Sequence, residues 1–199
     1  MAKGDETLQR ILQEGLEMAS LQGLAGVSLA PLADRAKLSK SGLFAHFRSK
    51  EALQLKLLET AEGLFKSAVI EPARAAPQGL PRLEALFERW LGWSGRAGLP
   101  GGCPFAGAAS DYDDRDGPVR ERLVASQREW LGILRKAVDD CVTRGDLRPE
   151  TDSAQLAYEI CGIYLMHQFA SRLLRNAQAT ARARTAFERL IAPARAEVA

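Results

Sequence analysis

The sequence predicts an all-α fold, with a small three-helix unit at the amino end and a helical bundle behind it. Two observations carry this. Apolar residues recur at intervals of three and four along most of the chain, and no segment shows the strict alternation of a half-buried strand. The 17 glycines cluster at breaks between periodic segments rather than in strand turns. A chain of 199 residues is long enough for one compact domain, or for a small domain joined to a larger one.

The elements follow in order. Leu8, Ile11, Leu12, Gly15, Leu16 and Ala19 form one stripe on a first helix over 6–21, and Gly23 is placed to stop it. Ser28 is a capping residue for a second helix, and Pro31 stands in its first turn, where a missing N–H costs little. Leu29, Leu32, Ala33 and Ala36 are its inward side. Ser39 opens a third helix about three residues later, a gap that favours a steep crossing of the two helices. Leu43, Phe44 and Phe47 are expected in its core face. Ser49 caps a longer fourth helix carrying Leu53, Leu57, Leu58, Ala61, Leu64 and Phe65.

Beyond Pro72 the texture changes. Pro77, Gly79 and Pro81 mark a connection, followed by a helix whose inward residues are Leu83, Leu86, Phe87, Trp90 and Leu91. GRAGLPGGCP at 95–104 breaks it. A brief helix over 105–112 precedes the acidic turn DYDDRDGP. Pro118 then suits the first turn of a long helix to about Thr143, with Leu123, Trp130, Leu131, Leu134 and Val138 inward. Asp152 caps a helix reaching Leu174, and a last helix covers 179–190. The boundaries expected are 1–50 for the amino-terminal unit and 51–199 for the bundle.

Composition excludes several classes of function. Apolar residues make up 46% and charged residues 26%, a normal soluble balance. The amino terminus is polar and no apolar run approaches the ~18 residues of a membrane span. Three widely spaced cysteines fit a reducing cytoplasm better than a disulfide framework. The acidic run at Asp111, Asp113, Asp114 and Asp116 matches no calcium loop. The two histidines, His46 and His167, lie in different units and leave no zinc site, so neither a metal nor any other cofactor is expected. No nucleophile, base and orienter occur together, and no nucleotide fingerprint is present, which argues against an enzyme.

The formal net charge of +2 says little about partners, but its distribution does. Between Asp34 and Lys50 five Lys or Arg stand against one Asp. In a helix-turn-helix the second helix lies in the major groove and its first residues approach base edges. Here those are Ser39, Lys40, Ser41 and Gly42. Lys40 can donate to guanine, and Ser41 can donate or accept at a base edge. Gly42 allows close approach, either to DNA or to the preceding helix. Lys37, His46 and Lys50 suit phosphates better than bases, Lys50 because a phosphate would offset its poor position at a helix amino terminus. An ordinary solvated face is the competing reading of such a charge run.

These residues, taken as GLAGVSL at 23–29 and LADRAKLSKSGLFAHFRSKEAL at 32–53, resemble the DNA-binding domain of the TetR family of bacterial transcriptional repressors. The resemblance covers 7–53, and GGCPFAGAASDYDDRDGPVRERL at 101–123 is similar to one subgroup of its ligand-binding domains. It implies a helix-turn-helix DNA-binding domain joined to a helical-bundle ligand-binding and dimerisation domain. It also implies a homodimer on a palindromic, inverted-repeat operator in double-stranded DNA, released by a small-molecule effector. Ser28, Lys40, Ser41, Gly42, His46 and Lys50 hold family positions that lie at the DNA. The sequence departs from the family at Val27, Ala30, Phe44 and Ala45, where hydroxyl or polar side chains are frequent. The contact set therefore leans on Lys40, His46, Lys50 and backbone N–H groups.

In the bundle, the last two helices carry more apolar surface than one inward stripe requires, which suits pairing of two copies; a monomeric bundle is the plainer reading. Trp90, Trp93, Phe105, Trp130, Tyr164, His167 and Gln168 come from different helices and are the candidate effector pocket, for a hydrophobic or aromatic ligand. Cys103, beside a helix start, is the one thiol placed for redox chemistry; close packing is the more ordinary reading. Cys141 and Cys161 read as core. A helical enzyme and a constitutive DNA-binding protein are the competing functions.

Overall fold

The computed structural model describes residues 3–196. Eleven α-helical segments are found there: α1 (Lys3–Gln22), α2 (Leu29–Arg35), α3 (Lys40–His46), α4 (Lys50–Phe65), α5 (Glu71–Ala73), α6 (Leu80–Leu91), α7 (Trp93–Arg96), α8 (Pro104–Tyr112), α9 (Pro118–Thr143), α10 (Ser153–Gln168) and α11 (Ala179–Ile191). π-helical turns follow α4 at Lys66–Ile70 and α10 at Phe169–Leu173. Among the described residues β-structure is limited to one antiparallel bridge, Leu147 with Arg195. The chain divides into two compact units, residues 1–64 with 94–126, and residues 65–93 with 127–199.

In the first unit the core is built by α1 to α4. Ile11, Leu12, Leu16 and Ala19 of α1 are buried with Leu32, Ala33, Leu43, Phe47, Leu53 and Leu57. α1 and α4 approach closely at Gly15, where an added Cβ would lie 2.8 Å from Leu57 Cδ2. The caps are those expected at α3 and α4. Ser39 Oγ accepts from the Gly42 amide at 3.0 Å, and Ser49 Oγ from that of Ala52 at 3.0 Å, each worth about 1 kcal/mol. Ser28 holds the cap position of α2, but its side chain makes no capping bond.

Leu8, Leu29, Leu64 and Cys161, expected in the core, are half-buried, and two expected core residues are exposed. Phe44 is 50% exposed, because Leu43 and Phe47, four apart, take the inward face of the seven-residue α3 and leave the next position about 100° round the helix. Leu131 is 40% exposed for the same reason, since Trp130, Leu134 and Val138 fill the inward stripe of α9.

The second unit packs α6 and α10 together, and α10 against α11. Leu83, Leu86, Phe87, Trp90 and Leu91 of α6 are all buried, as are Leu156, Ile160 and Tyr164 of α10 and Phe187 and Ile191 of α11. Phe87 stacks on Phe187 with centroids 4.2 Å apart. Asp152 caps α10, its Oδ1 accepting from Ala154 and Gln155 at 2.9 and 3.0 Å. Asp146, in the turn before it, accepts from the Leu80 amide at 2.8 Å and so satisfies a free N–H at the start of α6.

Candidate functional site

The basic stretch sorts into groups with different work. Arg35 reaches back to α1, where its Nε donates to Glu14 and its Nη2 to Glu17 at 2.6 Å. The hydrogen bond to Glu14, with both carboxylates nearby, holds its pKa above the ordinary value. Its charge is thereby neutralised within the unit. Lys37, Lys40 and Arg48 are exposed and make no ion pair with the described residues. Arg48 belongs to the basic run, but no motif in the sequence singles it out; its exposure beside α3 adds it to the surface.

Lys37 occupies the turn between α2 and α3 with φ of 54°, a left-handed conformation unusual for a side chain of this kind. Ser39, Lys40, Ser41 and His46 are exposed on α3 or at its cap, and Ser39 Oγ lies 3.1 Å from Ser41 Oγ. Gly42 has a third explanation besides the two considered from sequence. A Cβ there would lie 3.1 Å from Ser39 Oγ, the capping oxygen itself.

Lys50 has a partner that the sequence did not suggest. Its Nζ donates to the Ala25 carbonyl at 2.5 Å, in the turn between α1 and α2. That turn is held from several directions. Gln54, 5% exposed, donates from Nε2 to the Leu24 carbonyl at 2.9 Å. Asp111 of α8 accepts from the Ala25 amide at 3.2 Å through Oδ2. Gly23, with φ of 81°, lies so close to that carboxylate that a Cβ would sit 2.5 Å from Oδ2. One turn away, the Gly101 amide donates to Ser20 Oγ at 2.9 Å, and a Cβ on Gly101 would overlap the Ser20 carbonyl. The segment 101–111 thus grips the end of α1 and the turn that leads into α2. The acidic run accordingly has a structural use at Asp111, and among the described residues no group of His, Cys, Asp or Glu could hold a metal ion. Beside the turn lies a cleft of about 200 Å³, lined by Lys50, Glu51, Gln54, Tyr112, Arg115 and Arg120 among others. Sequence reasoning missed Gln54, Gly101 and Asp111, because nothing local marks a residue whose partner is tens of positions away.

Six of the seven expected pocket residues belong to the second unit, and the structure brings five of them into one cluster. Trp90 stacks on Tyr164 with centroids 3.9 Å apart and meets Trp130 edge-on at 4.9 Å. Phe65 contacts Trp130 at 4.8 Å and Trp93 at 5.1 Å, both edge-on. Such pairs contribute about 0.5–1.5 kcal/mol each beyond their burial. Trp93 Nε1 donates to the Tyr164 hydroxyl at 3.1 Å. His167 lies 6.3 Å from Tyr164 between ring centroids, and its Nε2 is 3.1 Å from Thr180 Oγ1. Gln168 is half-buried at the end of α10, before the π turn. Phe105 is buried in the first unit.

Burial lowers the pKa of His167 from its ordinary 6.5. The native state therefore disfavours the imidazolium, and below 6.5 the unfolded chain binds more protons than the folded one. Stability carried by the neutral ring is present above 6.5 and is lost as pH falls towards the lowered native value. Melting curves from pH 7.5 to 5.5 are expected to show a steeper fall in Tm for the wild type than for His167→Gln. Parallel curves would show that the ring is not held neutral.

Two of the three thiols are held in the protonated form by their surroundings. Cys141 is buried and pushed up to about 12, and Cys161 to about 11, in both cases chiefly by desolvation. Cys103 is buried at the cap position of α8. None forms a disulfide.

α10 and the π turn after it also carry an outward apolar stripe. Tyr158, Leu165, Phe169 and Leu173 are 71%, 56%, 48% and 69% exposed and recur at helical spacing, with Gly162 between the first two. Of the apolar residues of the last two helices, Leu156, Ile160, Tyr164, Phe187 and Ile191 are consumed by the unit's own core. Tyr158, Leu165, Met166, Phe169 and Leu173 are exposed.

A short capped helix set after a tight turn in a small core, with cations exposed on it and on either side of it, has the arrangement of a helix-turn-helix DNA-binding regulator. Residues 11–66 match the family model of bacterial regulatory proteins, tetR family, and residues 79–187 match that of the tetracyclin repressor-like C-terminal domain. The chain belongs to the TetR family of transcriptional regulators, and so is a DNA-binding protein and not an enzyme. The fold is that of a TetR transcriptional regulator from Chloroflexus aurantiacus J-10-fl, with TM-score 0.89 and 27% identity over 99% of this chain and 100% of that one. AibR, solved in complex with isovaleryl coenzyme A and operator DNA, has TM-score 0.69 at 20% identity, over 81% of this chain and 85% of that one. The HTH-type transcriptional repressor NemR of Escherichia coli (strain K12) is 21% identical over 136 residues, 68% of each chain. Among the described residues no helix is long and apolar enough to cross a membrane.

Proposed function

We propose that the protein is a cytoplasmic, ligand-responsive repressor that binds an inverted-repeat operator as a homodimer and leaves it when a small hydrophobic or aromatic effector binds. The observation that carries the reading is the division of charge around α3: Arg35 is paired with Glu14 and Glu17, whereas Lys37, Lys40 and Arg48 are exposed without an ion-pair partner among the described residues. Residues 1–50 form the reading domain and 51–199 the effector-binding and dimerisation domain. Lys40 and Ser41 lie at base edges, with Ser28, Ser39 and Gly42 close to the DNA. Lys37, His46 and Lys50 take phosphates, the last by exchanging its bond to Ala25 for one to DNA.

Dimerisation uses the last two helices, with Tyr158, Leu165, Phe169 and Leu173 as its apolar centre. The cluster of Trp90, Trp93, Trp130, Tyr164 and His167, with Gln168 at the end of the same helix as the last two, receives the effector. NemR, a named repressor, supports repression, and AibR, bound to both a small molecule and an operator, supports a design in which one chain answers to each. An effector that prefers the conformation free of DNA lowers operator affinity by the coupled amount.

The test is titration of a fragment from the protein's own promoter region, against scrambled DNA at matched salt. Lys40→Ala is expected to weaken specific binding by about 1–3 kcal/mol per half-site and to flatten base preference. Lys37→Gly relieves the left-handed backbone strain while removing a cation that neutralises a phosphate. It is expected to leave Tm unchanged or raised and to lower the salt slope by about 0.9 for each phosphate no longer neutralised. Equal wild-type affinity for the two DNAs would refute specific operator binding.

A further inference from the structure

Two polar atoms in the aromatic cluster of the second unit are buried without a hydrogen-bond partner among the described residues: Trp130 Nε1 and His167 Nδ1. Their neighbours do not share this condition. Trp93 Nε1 donates to Tyr164, and the other ring nitrogen of His167 faces Thr180. A buried N–H left unpaired carries its full desolvation cost, and native proteins rarely leave one without a reason. Here the two unpaired atoms sit at opposite ends of a continuous run of rings, Trp130 against Trp90, Trp90 on Tyr164, and Tyr164 beside His167.

The chemistry of the two atoms restricts what could satisfy them. An indole N–H only donates, so the group that meets Trp130 must accept. His167 is kept neutral by burial, and its Nδ1 donates when the Thr180 hydroxyl donates to Nε2 and accepts in the other tautomer. Charge is restricted as well. Among the described residues the only buried polar or charged side chains are Gln54, in the first unit, and His167. A charged ligand entering the cluster would find no buried counter-ion and would lose its hydration uncompensated.

We propose that the effector is an uncharged aromatic molecule bearing a hydrogen-bond acceptor, of the aryl ketone, aryl aldehyde or phenol class, whose acceptor meets Trp130 Nε1, and that a second polar group at the far end of the molecule, where it carries one, meets His167 Nδ1. This rests on the reading of the cluster as the effector site and adds the ligand's polarity and charge to it. The rings supply stacking surface, which sets affinity for any flat apolar body. The two nitrogens supply the discrimination between molecules of the same shape.

The test uses three probes of nearly the same shape on the full-length protein. Acetophenone carries a neutral acceptor, cumene replaces its acetyl group by isopropyl, and benzoate replaces it by a charged carboxylate. Calorimetric titration is expected to give acetophenone about 10-fold tighter binding than cumene. Benzoate is expected to bind about 100-fold more weakly than acetophenone. Trp130→Phe keeps a ring and removes the N–H, so acetophenone should fall to the level of cumene while cumene changes by less than about 2-fold. His167→Leu is the second variant, and decides if Trp130→Phe does not fold: 4-hydroxyacetophenone, with a polar group at each end, is expected to bind the wild type about 10-fold more tightly than acetophenone, and that advantage should vanish in His167→Leu while cumene stays in place. Cumene binding the wild type as tightly as acetophenone, or a preference that survives the substitution expected to remove it, would overturn the assignment of polarity and leave the effector reading standing. Failure of all three probes to bind at millimolar concentration would overturn the effector reading of this cluster as well.

Discussion

Replacing Leu165 and Phe169 together by Glu is expected to yield a folded monomer whose operator affinity is at least about 100-fold below that of the wild type. Folding survives because both side chains are about half exposed in the single chain, 56% and 48%, so the carboxylates remain hydrated there. Pairing does not survive. Two copies meeting across a two-fold axis would bring four carboxylates into an apolar patch, and desolvating them without cations is prohibitive. Loss of pairing removes the second half-site from each binding event, and with it an effective concentration that multiplies affinity by about 10²–10⁴. Sedimentation equilibrium should show monomer mass, circular dichroism an unchanged helical signal, and anisotropy titration the loss of tight operator binding. A variant that still sediments as a dimer would place the interface away from this stripe.

The second large effect is expected at Gly101. Its amide donates to Ser20 Oγ at 2.9 Å, and its Cα approaches the α1 backbone so closely that any Cβ overlaps the Ser20 carbonyl. A backbone carbonyl inside a helix cannot rotate away as a side chain would, so Gly101→Val must push α1 and the 101–111 segment apart. Overpacking of this kind costs about 3 kcal/mol or more, equivalent to a fall in Tm of about 6–12 °C for a chain of this size. Gly107 is the control. It lies in α8 with nothing within 4 Å of its Cβ position, and Gly107→Ala is expected to add about 0.5–1 kcal/mol of stability. Similar melting temperatures for the two variants would show that the close approach is not a constraint. Should Gly101→Val fold yet bind operator weakly, the grip of 101–111 on the turn before α2 would be the cause, since no DNA-facing side chain is altered.

Much of the reading domain is legible in the sequence because its signals are local. Ser39 and Ser49 cap the helices that follow them, and each cap joins residues three apart. Leu43 and Phe47 reveal the inward face of α3 by their spacing alone. Phe44 misleads, because an apolar residue on a seven-residue helix has no further turns against which to test its phase. Lys50 is legible as a cation at a helix start, but its bond to Ala25 spans 25 positions and leaves no pattern. The cluster around Trp90 is legible as a set of residues. Which of its polar atoms find partners is not, because that depends on angles between rings from different helices.

The all-α class, the helix order, the capping residues, the basic face and the family resemblance all follow from spacing or residue type. Each depends on atoms within a turn or two of chain. Only the packed chain settles three further points: that Arg35 is neutralised by α1 while Lys40 is not, that Asp111 and Gly101 hold the turn before α2, and that Trp130 Nε1 and His167 Nδ1 stand unpaired. All three arise where segments remote in sequence are pressed together, and there the energy depends on tenths of an ångström and on hydrogen-bond direction. Periodicity carries neither.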